Sequence, residues 1–272
     1  MRSRLLALLA ATPLLLAQAP GGAATSLPAH IAGGLAAHRA LYKLSLEGAR
    51  SGDVTAASGT MTYEVIDACE GWAVQQRLEM SLINRDGQEI QMVSDYATWE
   101  AKNGLKLTFR MRQSTESATT QVTSGEAVLE SFGGKGEIHY DKPAQTVKPL
   151  PPGTLFPMWH TATIIAGAEQ GKKFLSLPLF DGTTDSGAQD TFAVIASWNK
   201  PQAFHISTLA KLPSGRVHVS FFERNGTGVV PDYEVGMRYW ENGVADDLRM
   251  DFGDFVMDGK LTEFKMQPPR HC

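Results

Sequence analysis

The chain alternates. In "YKLSLE" the apolar Tyr42, Leu44 and Leu46 fall on one face and Lys43, Ser45 and Glu47 on the other; in "LKLTFRMR" the apolar set is Leu105, Leu107, Phe109 and Met111. A period of two with one wet face predicts half-buried β-strands. Less regular alternation recurs in "TMTYEV", "WAVQQRLEMSLI", "EIQMVSDYATWEA", "TTQVTSGEAVLE", "GEIHY", "FAVIASW", "FHISTLAKL", "RVHVSFFE", "YEVGMRYW", "LRMDFGDFVM" and "LTEFKM". About a dozen strands are thus expected, punctuated by turn signals such as "RDGQ", "KNGL", "FGGKGE", "ERNGTG" and "MDGK". Such a succession predicts an antiparallel meander forming one large curved sheet. No fixed-period self-similarity marks a propeller or solenoid.

One segment has a different rhythm. "PLPPGTLFPMWHTATIIAGAEQGKKF" offers Thr154 as a helix N-cap, Pro157 in the first turn and Gly171 as the C-terminal stop. Leu155, Phe156, Met158, Trp159, Ala162, Ile164, Ile165 and Ala166 cover most of the helix circumference, and a helix apolar nearly all round is a buried one. In an all-β-dominated chain it belongs inside the curl of the sheet. The expected architecture is therefore a β-spiral or open barrel-like sheet wrapped around one buried α-helix.

The N-terminus changes the chemical setting. "MRSRLLALLAATPLLLAQAPGGAATS" joins Arg2 and Arg4 to an apolar run and then to small residues, with cleavage expected after Ala19 or Ala24. Residues 1–24 read as a signal peptide and 25–272 as a single domain exported to the periplasm, with no membrane span. The whole chain has 25 basic and 29 acidic residues; losing two arginines leaves 23 against 29, a net charge of −6, a poor surface for nucleic acid. In an oxidising compartment the two cysteines, Cys69 and the terminal Cys272, are expected to form a disulfide that pins the chain end. A metal site would want more ligands at closer spacing.

Catalytic signals are sparse. "DSG" at Asp185–Gly187 matches an aspartic-protease triplet, but occurs once where that chemistry needs two carboxylates. It reads instead as part of an acidic turn, "FDGTTDSGAQD". "DFG" at Asp251–Gly253 lacks the other kinase elements. Asp181, Asp185 and Asp190 lack the spacing of a calcium loop. His160, on the buried helix, has no nucleophile motif to serve and reads as a structural histidine hydrogen-bonded to strand backbone. No catalytic residue, metal or cofactor is expected. His160, Asp181, Gly182 and Asp185 remain the helix and loop positions to watch.

"AHRALYKLSL", "ACEGW" around Cys69, "LPPGTLFPMWHT", "LFDGTTDSG" and the C-terminal cysteine, in that order, resemble the cell envelope integrity EipB family of alphaproteobacterial proteins over essentially the whole exported chain. The resemblance implies a periplasmic β-spiral around a helix, a Cys69–Cys272 staple, a role in envelope integrity and stress resistance, and no enzymatic activity. Three functions follow as expectations. The first is a scaffold binding another periplasmic protein, such as a repeat protein, through its curved sheet. The second is a lipid or lipoprotein carrier of the lipoprotein-chaperone type, lined by residues such as Met237, Tyr239, Leu248, Met250 and Phe252, which ordinary core packing would also explain. The third, less favoured, is an envelope-acting hydrolase using His160 and the Asp181 loop.

Overall fold

The computed structural model describes residues 34–50, 52–224, 230–268 and 272. The expected signal peptide lies outside the described residues, as does "NGTG". Among the described residues no helix is long and apolar enough to cross a membrane.

Among the described residues fourteen strands, each antiparallel to its neighbours, form one sheet. They are β1 (His38–Ala49), β2 (Val54–Asp67), β3 (Gly71–Asn84), β4 (Glu89–Ala101), β5 (Lys106–Thr115), β6 (Ala118–Leu129), β7 (Gly136–Lys142) and β8 (Thr146–Leu150), then β9 (Phe174–Leu179), β10 (Gln189–Ile195), β11 (Ser214–Glu223), β12 (Tyr233–Trp240), β13 (Ala245–Asp251) and β14 (Phe255–Met266). The spatial order is β8-β7-β6-β5-β4-β3-β2-β1-β14-β13-β12-β11-β10-β9. The first and last strands pair in the middle, from His38 opposite Met266 to Ala49 opposite Phe255, while β8 and β9 are the outer strands. The sheet curls without closing. Its gap is narrowed by the segment after β8: Leu155 forms a parallel bridge to Leu179, with Leu155 N–H donating to Pro178 O at 2.9 Å and Phe180 N–H to Leu155 O at 3.0 Å.

Helix α1 (Pro157–Glu169) joins the two outer strands through the interior. Met158, Trp159, His160, Ala162 and the run Ile164–Ala168 are all buried, as the lack of an apolar stripe predicts. At its C-terminus Gly171, at φ +75°, donates to Ala168 O and Lys172 N–H donates to Gly167 O, a complete Schellman stop. The N-terminal expectation is corrected. Phe156 is the N-cap and no side chain of the cap region receives a helix N–H; the Thr154 hydroxyl instead donates to Pro151 O at 2.7 Å.

Two other expectations are overturned. "FHISTLAKL" is not a strand: it bends into a short 3₁₀ turn at Leu209–Lys211, and Phe204, Ile206, Leu209 and Leu212 cover Trp240 and Val244 in a small separate cluster. Its apolar residues are met by packing rather than by a ladder. "MDGK" is not a turn: Gly259 lies within β14, between Leu44 and Leu248, and the hairpin bends instead at "FGD". There Asp251 accepts the Gly253 N–H at 3.0 Å and both terminal nitrogens of Arg50, at 2.6 and 2.7 Å.

Candidate apolar cavity and the loop across it

Inward-facing strand residues and α1 fill much of the curl, in one cluster centred on β1, β2 and β10–β14 and another packing the helix against Trp72 and Val74. They do not fill it all. A cavity of about 810 Å³ remains beside the helix, within the roughly 300–1,000 Å³ range of small-ligand sites. Six methionines line it: Met61, Met80, Met92, Met111, Met158 and Met250. Flexible and polarisable thioethers make a wall that can repack around apolar guests of differing shape. Tyr239, Leu248, Met250 and Phe252 also line it, whereas Met237 is in the packed core.

The candidate loop and helix residues meet this cavity unequally. His160 and Asp181 both line it. The His160 Nε2 lies 2.8 Å from the Thr191 hydroxyl, whose own proton goes to Leu177 O at 2.7 Å, so Nε2–H is the donor. Burial without a charged partner lowers the imidazole pKa to about 4, leaving it neutral. The Asp181 carboxylate accepts both the N–H and the hydroxyl of Thr183, at 2.9 and 2.8 Å, while burial pushes its pKa above the ordinary range. Gly182 has φ +74°, and a Cβ there would lie 2.3 Å from the Phe109 ring. Asp185 is exposed, with its carbonyl receiving Lys148 Nζ.

The loop itself is stitched across the sheet. Five successive carbonyls each accept a side-chain donor: Tyr96 OH to Asp181 O (2.5 Å), Thr123 to Gly182 O (2.7 Å), Gln121 to Thr183 O (3.1 Å), Tyr140 to Thr184 O (3.2 Å), and Lys148 to Asp185 O. The donors come from β4, β6, β7 and β8. A loop that offers no ladder is thus held over the inner face of that half of the sheet, satisfying backbone that would otherwise be buried unpaired. Asp190, the third loop carboxylate, pairs with Arg224 at 3.2 Å. Among the described residues no three potential metal ligands cluster.

Cys69 and Cys272 form the expected disulfide, with a sequence separation of 203. It fixes the chain end to the β2–β3 turn.

Sequence reasoning missed the polar part of the cavity wall. Tyr63, Gln76 and Tyr96 lie opposite one another on β2, β3 and β4, facing inward. The signal was present: in "WAVQQRLEMSLI" the buried face runs Trp72, Val74, Gln76, Leu78, Met80, Leu82, so Gln76 interrupts an apolar set. Glu100 was missed likewise. It is fully buried, and its two oxygens accept the Met158 and Trp159 N–H groups at 2.7 and 3.0 Å.

Comparison with known proteins agrees with this architecture. The EipB-like family profile matches residues 29–268. The chain is 31% identical over 241 residues to the cell envelope integrity protein EipB of Brucella abortus (strain 2308), covering 84% of this chain and 83% of that one. It superposes with a TM-score of 0.77 on the crystal structure of a β-barrel-like protein of a domain of unknown function from Brucella abortus, at 26% identity, covering 86% of this chain and 99% of that one.

Proposed function

This chain belongs to the EipB-like family, and we propose that it supports envelope integrity from the periplasm without catalysis, by holding an apolar envelope component inside its curled sheet. The observation that carries this reading is the methionine-lined cavity beside α1. A protein whose interior served only stability would gain by filling such a volume, since each unfilled methyl-sized space costs about 1 kcal/mol. The relative named for cell envelope integrity supplies the process. Catalysis is disfavoured by the engagement of its two candidates: His160 donates to Thr191, and Asp181 accepts from Thr183.

Native mass spectrometry of the protein isolated gently from its own periplasm, beside a denatured and solvent-extracted sample, tests the proposal. A reproducible excess mass identified as lipid or a lipidated species is expected; a clean apoprotein mass sinks it. Normal complementation by His160→Ala and Asp181→Ala is expected as well, and its loss in folded variants would return the hydrolase reading.

The scaffold reading has its own observation. Phe174 and Phe192 stack on the outer face of β9 and β10 with ring centroids 5.9 Å apart and are 62% and 41% exposed. An apolar pair beside an outer strand suits a protein partner. Crosslinking in intact cells should trap a defined polypeptide there, lost in Phe174→Ser.

A further inference from the structure

Resting on the proposal that the cavity holds a ligand, we propose that this ligand is an amphiphile with an uncharged, hydrogen-bonding head, and that the cavity rejects phosphate-bearing lipids.

Among the described residues no lysine or arginine lines the cavity; its carboxylates are Asp181 and Asp232. A phosphate buried there would find no cation and would face Asp181, whereas burying an anion is tolerable only when it is paired.

What the wall offers is neutral and unused. The carboxamides of Gln76 and Gln113 line the cavity and no hydrogen bond joins either to the described residues; the same holds for the Ser94 hydroxyl and the Tyr63 hydroxyl. His38 adds an acceptor. Its Nδ1 lies 2.7 Å from Ala36 O and must donate there, so in the neutral ring Nε2 carries a lone pair, and this buried atom has no partner among the described residues. Burial holds the ring neutral by lowering its pKa.

These groups are grouped by register. Gln76 stands opposite Tyr96, and Ser94 on the same strand stands opposite Gln113, so β3, β4 and β5 carry a polar patch on their inner face. Leu78, Met80, Met92 and Met111 interleave with this patch on the same three strands, while Met61, Leu248 and Met250 lie on the rest of the wall. The wall therefore offers amides and hydroxyls to a head group beside thioethers that an acyl chain can pack on. Glycerol hydroxyls or amide N–H groups match the donors and acceptors available; a phosphate matches none of the missing charge.

The test uses the oxidised, full exported chain, with N-phenylnaphthylamine as an uncharged fluorescent occupant of the cavity. Monooleoylglycerol and a lysophosphatidic acid of the same acyl chain compete for it, differing only in the phosphate. Monooleoylglycerol is expected to displace the probe at a concentration at least about tenfold lower, and Gln76→Leu or Gln113→Leu to weaken monooleoylglycerol by about tenfold once each variant's own measured probe affinity is taken into account. Equal competition, or a tighter lysophosphatidic acid, overturns the head-group assignment while leaving an apolar binding site in place. Unchanged monooleoylglycerol affinity in both variants overturns it too. If neither the probe nor either lipid binds, the cavity reading itself fails and takes this inference with it.

Discussion

Glu100 and Met158 are 58 residues apart, yet the Glu100 carboxylate accepts the Met158 N–H at 2.7 Å and the next helical N–H, that of Trp159, at 3.0 Å. A strand residue thus does for α1 what its own N-cap, Phe156, cannot. This contact fixes where the helix enters the curl and, with it, the cavity's boundary at Met158. Glu100→Ala leaves two buried N–H groups without a partner, an expected loss of about 1–3 kcal/mol in urea unfolding at neutral pH.

The same carboxyl carries a pH signature. Burial raises its pKa from 4.5 to about 8, against the two N–H bonds that favour the anion. The folded state then holds a proton that the unfolded state releases, so this contribution is complete below about pH 4.5 and is lost as pH rises toward 8. The stability difference between the protein and Glu100→Gln should shrink across that window; a flat difference would show that the carboxyl does not titrate there.

His160 works in the opposite sense. Its pKa is lowered from 6.5 to about 4, so the unfolded state binds the extra proton. Its contribution is present above about pH 6.5 and is lost as pH falls toward 4. Unfolding curves between those values should be less steep in pH for His160→Leu. Thr191→Val, which strips the partner from Nε2–H, should cost about 1–3 kcal/mol at neutral pH.

Breaking the Cys69–Cys272 bond frees a loop of about two hundred residues, for which the chain-entropy model gives roughly 5 kcal/mol as an upper figure. Cys69→Ser, Cys272→Ser and the double variant should lower the melting temperature by similar amounts, because either change alone removes the bridge. Additive losses would mean that the thiols act separately.

Two glycines separate backbone strain from crowding. Gly87 and Gly182 have φ of +76° and +74°, but a Cβ meets nothing within 4 Å at Gly87 and the Phe109 ring at 2.3 Å at Gly182. Gly87→Ala should cost about 1 kcal/mol. Gly182→Ala should cost more than about 3 kcal/mol, because the loop must also leave its row of carbonyl bonds. Similar losses in chemical denaturation would show that the loop yields easily.

The sequence determined the local elements of this protein. Period-two alternation marks which residues of β1, β3 and β5 face inward, a helix apolar all round must be buried, and the chain's two cysteines pair with one another. What it could not determine is adjacency. Alternation assigns a face and not a neighbour, so the meeting of β1 with β14 and the separation of β8 from β9 arise only when the sheet is assembled. "MDGK" reads as a turn locally and becomes strand because β1 and β13 pair on either side of it. Thr154 has a capping side chain, but Glu100 takes the helix N–H groups because the sheet carries it there. The cavity is the furthest removed from sequence. Whether inward side chains fill a curl depends on a sum of volumes against a radius of curvature, and no run of residues along the chain contains that radius.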